Sequence, residues 1–143
     1  MKINNFLIVI LVIILSTACN SSPLKLKFEN LELADNNEER EKGLMFRQSL
    51  CKNCAMLFQL DQPAQVSFWM KNTYIPLDII FIKENGQISD IYENVEILRE
   101  DLFYTSSLPI KYVLEVNAGY AKKHNLNKDL ILDLNYLYKE IKN

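Results

Sequence analysis

Glycine and proline are scarce here, three and four respectively in 143 residues. A chain so poor in both carries no collagen-like, linker-like or low-complexity segment, and it shows no internal repeat. Histidine and tryptophan occur once each, as His124 and Trp69. A solitary histidine rules out paired-histidine metal motifs, and there is no G-x-S-x-G nucleophile turn and no phosphate-binding loop. A basic excess is missing too: 16 Lys and Arg stand against 18 Asp and Glu, a formal net charge of -2, and only Lys122 and Lys123 are adjacent. Such a chain has no field to gather phosphates, so nucleic acid is not an expected partner.

No apolar run reaches the roughly 20 residues of a membrane-spanning helix. The longest unbroken one, FLIVILVIIL at 6–15, follows Lys2 and gives way to the small residues Ser16, Thr17 and Ala18. This is the pattern of a secretory signal, which places the expected mature protein outside the cytoplasm. Cys19 directly after Ala18 resembles a bacterial lipoprotein box, with Ser16 where leucine is usual. That resemblance implies a signal peptide at 1–18, a lipid on Cys19, a short tether at 19–24 and a single domain at 25–143. Two acyl chains suffice for stable anchoring, so the expected partner is a membrane facing the periplasm or the cell exterior. The alternative is plain cleavage after Ala18 and a soluble exported protein.

Export bears on the other two cysteines, Cys51 and Cys54 in CKNC. Outside the cytoplasm such a pair is expected to form a disulfide that pins a loop. A redox-active pair is the alternative, but its motif should open a helix after a strand, and this one precedes the strand-like AMLFQL. Zinc has no support from a second CxxC, and His124, in AKKHN, reads as a solvated residue at a helix end. No metal or other cofactor is implied.

Along the domain, LKLKFENLEL at 24–33 alternates with the period of a strand. Asp35 with Glu38 resembles a capping box for a short helix from 36 to about 47. Strands are expected at 56–60, 67–72 and 78–84, then a hairpin through Asn85-Gly86 into QISDIYENV. PIKYVLEVN reads as another buried strand, Asn117 as the cap of a second short helix from 118 to about 124, and LILDL as a last strand. Strands outnumber helices and no long helix separates them. The expected fold is therefore mainly β, a β-rich α+β domain, built as a compact antiparallel sandwich or barrel with two short helices.

Four blocks, REKGLMFRQSL at 40–50, MLFQL at 56–60, FWMKNTYIPLDIIFI at 68–82 and KYVLEVNAG at 111–119, resemble in order and spacing the motifs of the domain of unknown function 192 family. The likeness extends over about residues 25–138. It implies a compact, mainly β domain, often exported and sometimes lipid-anchored, with no generally established activity. Where the family often has an acidic loop and a glycine before MLF, this chain has CKNCA, so the cysteine pair reads as a local device.

Two carboxylates stand inside these apolar blocks, Asp78 in LDIIFI and Glu115 in YVLEV. A buried ionised carboxylate without partners is too costly to persist, so each needs a partner, a strand end or a proton. Strand parity puts Asp78 with Ile80 and Ile82, and Glu115 with Val113. Cations available within the blocks include Arg40, Arg47, Lys71 and Lys111, and the arginine fork makes Arg40 or Arg47 the expected partners. A polar cluster of Arg40, Arg47, Lys71, Thr73, Asp78 and Glu115, walled by Trp69 and Met70, is the candidate binding site for a small molecule or an envelope protein. The first reading of the same contacts is as simple ties between helix and sheet, with the pocket as the functional alternative. An enzyme, a hydrolase or lyase using Asp78 and Glu115, requires both to face one cavity.

Overall fold

The computed structural model describes residues 22–141. The expected signal at 1–18 and the Cys19 lipidation site lie outside them. Seven strands form a β-rich, sandwich-like α+β fold with two sheets. The strands are β1 (Asn30–Ala34), β2 (Cys54–Ala64), β3 (Ser67–Phe68), β4 (Leu77–Ile82), β5 (Ile88–Val95), β6 (Tyr104–Thr105) and β7 (Ile110–Asn117). The main sheet has the order β1-β2-β7-β4-β5, and β3 pairs with β6 in a second, two-stranded sheet. All pairs are antiparallel except β1 with β2 at one edge, which is parallel. That pair departs from the expected antiparallel pattern because α1 (Asn37–Lys42) and the segment after it carry the chain back to the starting end of the sheet before β2 begins.

β4 is buried along its whole length and β7 along nearly all of it, because both faces of the sheet are covered. On one face Leu31, Ala55, Ile80, Leu114 and Val116 pack against Leu26, Phe28, Tyr120, Leu126 and Leu137. On the other, Met56, Phe58, Ile79, Phe81 and Val113 pack against Leu44, Met70, Ile75 and Tyr104. Each fully buried Ile or Phe contributes about 1.5–3 kcal/mol relative to exposure, so this two-sided burial dominates the stability of the domain.

Local details differ from the sequence reading for physical reasons. The first strand starts at Asn30, and Leu24 makes only a single bridge, to Leu132. The helix cap falls one residue later than the Asp35 box: Asn36 accepts from the Glu39 N–H, while Glu39 reaches back to the Asp35 N–H. That helix ends at Lys42 because Gly43 has φ +46°, and its open side lies against the Phe58 ring, 3.2 Å from where a Cβ would sit. Of 67–72 only Ser67–Phe68 is a strand. The hairpin between β4 and β5 turns at Gly86, φ +86°, where a Cβ would come within 2.5 Å of the Leu132 carbonyl. LILDL contributes only isolated bridges at Ile131 and Leu132, and a third helix, α3 (Leu134–Glu140), follows it, capped by Asp133. The second helix, α2 (Tyr120–Lys123), has no cap from Asn117, whose side chain donates to the Leu50 and Cys51 carbonyls.

Candidate functional site

The register of the sheet separates the two buried carboxylates. Asp78 pairs with Val116, and Glu115 pairs with Met56 on one side and Ile79 on the other. Neighbouring positions on a strand point to opposite faces, so Asp78 and Glu115 lie on opposite sides of the sheet. They share no cavity, and the two-carboxylate enzyme loses its geometric requirement.

Asp78 is fully buried and held by backbone groups rather than by an arginine. Oδ1 accepts from the Asn94 N–H at 2.8 Å and the Gly119 N–H at 3.1 Å, and Oδ2 accepts from the Ala121 N–H at 2.8 Å. Two of those donors belong to the start of α2, which otherwise lacks a side-chain cap. Asp78 thus does from a distant strand what an N-cap residue does locally, and three N–H bonds satisfy its charge.

The expected arginine partners are also reassigned. Arg47 forms a bidentate pair with Glu32 of β1, at 2.6 and 2.7 Å. Arg40 binds the Asp35 and Gln59 carbonyls and Asp61. Lys111 donates to the Asp61 carbonyl. None of these reaches Asp78.

Glu115 is only 5% exposed, and among the described residues its carboxyl has no hydrogen-bond partner. It belongs to the row Glu32, Met56, Glu115, Ile79 and Tyr92 across the sheet. Glu32 is therefore two strands away, about 10 Å. Arg47 favours the ionised form of Glu115 from a distance, but its guanidinium is committed to Glu32, and burial prevails, pushing the Glu115 carboxyl up to about 8. Burial thus favours the protonated acid, which can donate a hydrogen bond as well as accept one.

The Glu115 side lines a small cavity of about 40 Å³ bordered also by Arg40, Gly43, Leu44, Phe58 and Thr73. Next to it runs a groove of about 630 Å³ lined by residues including Leu60, Val66, Ser67 and Lys71. The two spaces share Arg40, Glu41, Met45, Phe68 and Trp69. Trp69 is 40% exposed, stacks on Phe103 at 6.0 Å, and carries the Lys71 ammonium over its ring at 5.0 Å. Thr73 donates its hydroxyl to the Lys71 carbonyl. In the turns around Lys71 and Thr73, Phe46, Asn72 and Leu98 have φ of 65°, 52° and 56°. The Phe46 N–H binds the Asn72 carbonyl and the Leu98 N–H the Thr73 carbonyl. Left-handed conformations at bulky residues cost about 1–3 kcal/mol each and cluster at working surfaces.

Of the residues read from sequence as a cluster, the structure brings together Arg40, Trp69, Lys71, Thr73 and Glu115. Arg47 stands beside them through its field on Glu115, and Asp78 lies on the other face. Sequence reasoning missed Glu32, Asp61 and Phe103, which lie outside the motif blocks, and Glu41, which lies inside the first of them. Cys51 and Cys54 are joined in a disulfide across the turn into β2. His124 is half-buried and stacks on Tyr120 at 4.1 Å, its Nε2 buried without a partner among the described residues, so it is more enclosed than a solvated helix-end residue. Among the described residues no group of three or more His, Cys, Asp or Glu is placed to hold a metal ion, and no helix is long and apolar enough to cross a membrane.

The DUF192 family model, described as Uncharacterized ACR, matches residues 19–133. The chain belongs to the DUF192 family. Two solved structures share this fold and much of the sequence. A protein of Sinorhizobium meliloti 1021 described as a "putative transcription regulator" is 40% identical, with a TM-score of 0.67, over 69% of this chain and 76% of its own. A protein of unknown function from Novosphingobium aromaticivorans DSM 12444 is 36% identical, with a TM-score of 0.67, over 69% of this chain and 70% of its own. No curated protein matches the chain significantly. Within this DUF192 domain, then, buried Asp and Glu residues sit in a polar, hydrogen-bonding framework, and one of them, Glu115, borders a cavity with no bond from the described residues.

Proposed function

We propose that this DUF192 protein is a small-molecule binding module of the cell envelope, its site the groove over Glu115. One observation carries the reading: a buried carboxyl with no hydrogen-bond partner among the described residues lines a cavity that adjoins an open groove walled by Trp69, Phe68 and Met45. Ligand sites combine apolar walls with a few convergent polar groups, and a polar group left unbonded by its own protein is available to a ligand. The opposed faces of Asp78 and Glu115 favour binding over two-carboxylate catalysis.

Envelope location rests on the sequence, with cleavage after Ala18 and lipid on Cys19. From Cys19 to Leu24 the backbone spans at most about 18 Å. Leu24 packs on the face opposite the groove, so such an anchor would hold the groove toward the aqueous side. Incorporation of labelled palmitate, abolished in Cys19→Ser, is the expected result for the anchor. Nucleic acid has no place in this reading, since the net charge of -2 offers no phosphate-gathering field.

The test of the site is a thermal-shift screen of the purified protein against envelope metabolites, beside Glu115→Ala and Asp78→Asn. A ligand at 100 times its Kd stabilises by about 2.7 kcal/mol. A shift lost in Glu115→Ala supports the groove. A screen in which every hit survives that substitution refutes it.

A further inference from the structure

The charges around Glu115 select among ligands. From α1 and the turn after it come Arg40, Glu41 and Lys42; from the 44–50 segment, Arg47; from the segment after β3, Lys71 and the Thr73 hydroxyl. The neighbouring strands contribute Met56 and Ile79, which carry no charge. Arg40 is paired with Asp61 and Arg47 with Glu32. That leaves Lys42 and Lys71 against Glu41, a positive excess. An incoming ammonium would meet this excess, and the Trp69 face it could stack on already carries Lys71. An incoming carboxylate meets a favourable field and a neutral acid that can donate to it.

Resting on the binding reading above, we infer that the ligand is a small organic acid with an apolar body. Its carboxylate sits in the cavity and accepts a hydrogen bond from the Glu115 O–H, and its apolar part lies along Met45, Phe68 and Trp69. The cavity admits about one functional group, and the groove, at about 630 Å³, accommodates the rest. Because Glu115 ionises near pH 8, about one molecule in ten retains the donor at pH 9. Binding of an acid therefore weakens as pH rises through that range, whereas binding of an amine would strengthen.

Trp69 is the only tryptophan and lines the groove, so its fluorescence reports occupancy directly. The experiment titrates the protein with hexanoate, hexanamide and hexylamine at pH 6 and pH 9, and repeats it with Glu115→Gln and Glu115→Ala. The expected result is saturable binding of hexanoate at pH 6, about tenfold weaker at pH 9. Glu115→Gln, whose amide still donates, should bind hexanoate with the pH dependence removed, and Glu115→Ala should lose it at both pH values. Hexylamine binding that strengthens at pH 9 overturns the ligand class and leaves the groove standing. Hexanoate binding equal in wild type and Glu115→Ala overturns the class too. No response to any hexyl probe, beside a Glu115-dependent hit of another class in the wider screen, overturns the class alone; with no such hit in that screen, the groove reading falls as well.

Discussion

Replacing Glu115 by glutamine should make the protein more stable. In the unfolded chain the carboxyl titrates at its ordinary value of 4.5, and in the folded protein burial raises it to about 8. Between those values the folded state holds a proton that the unfolded state has lost, so stability falls as pH rises from about 4.5 and levels off above about 8. At 1.36 kcal/mol per pH unit, the loss amounts to about 3 kcal/mol by pH 7 and about 5 kcal/mol by pH 9. Glutamine nearly matches the shape of the protonated acid and does not ionise. The variant should exceed wild type by up to about 3 kcal/mol at pH 7, reduced by the desolvation of its second amide hydrogen, and the gap should widen at pH 9 and close near pH 5. Urea denaturation at pH 5, 7 and 9, with m-values compared between the two proteins, measures this directly. Parallel pH profiles for wild type and variant would refute the reasoning, since they would mean that Glu115 ionises equally in the folded and unfolded states.

Asp78→Asn should destabilise by about 2–4 kcal/mol, because the amide turns a donor toward at least one of three backbone N–H groups; a loss below about 0.5 kcal/mol in urea melts would contradict the capping role. Burial alone would raise Asp90, but bonds from the Ser107 N–H, the Ser89 hydroxyl, Lys128 and the Ser107 hydroxyl hold it at about 2 against an ordinary 3.8. That stability is present above pH 3.8 and lost as pH falls through 2, so wild type should lose about 2 kcal/mol over that window on account of this group, and Asp90→Asn should lack that component of its acid titration. Cys51→Ser with Cys54→Ser should cost about 2 kcal/mol, the chain-entropy value for so short a loop, with ligand response at Trp69 unchanged. A variant that stays as stable but loses that response would bring the cysteines into the site.

The fold was legible where burial is two-sided. LDIIFI and the β7 segment are apolar on both parities, and both proved to be interior strands. Turn chemistry was legible as well, since Asn85-Gly86 needs a positive φ that glycine supplies. Elements that depend on distant partners were not. The alternation at 24–33 resembles a strand, but only 30–34 finds a long partner, because the earlier residues cross the face of the sheet instead of following its edge. LILDL has strand composition, yet Leu132 is drawn to Leu24 and the Gly86 turn, and Asp133 then starts α3. The arginine partners were misread for a related reason. Composition brings a cation and an anion into one block, but register decides which acid meets Arg47, and Glu32, two strands from Glu115 and half-buried, forms the bidentate pair.

Asp78 and Glu115 look alike in sequence, each a carboxylate among large apolar residues, and a one-residue difference in parity gives them different chemistry. The face on which Asp78 falls is covered by α2, whose first N–H groups lack intrahelical acceptors and seek an anion. Three backbone N–H groups bond the carboxyl there, and Asp78, fully buried, is out of a ligand's reach. The face on which Glu115 falls is covered by the 44–50 segment, whose only cation is already bound to Glu32. Nothing in the described residues bonds Glu115, so it keeps its proton and borders a cavity. A protonated acid in that position costs about 3 kcal/mol at neutral pH relative to a group that does not ionise. Leucine or glutamine on the same strand would avoid that cost. Packing supplies no reason for a carboxyl there, and a ligand that uses its O–H does.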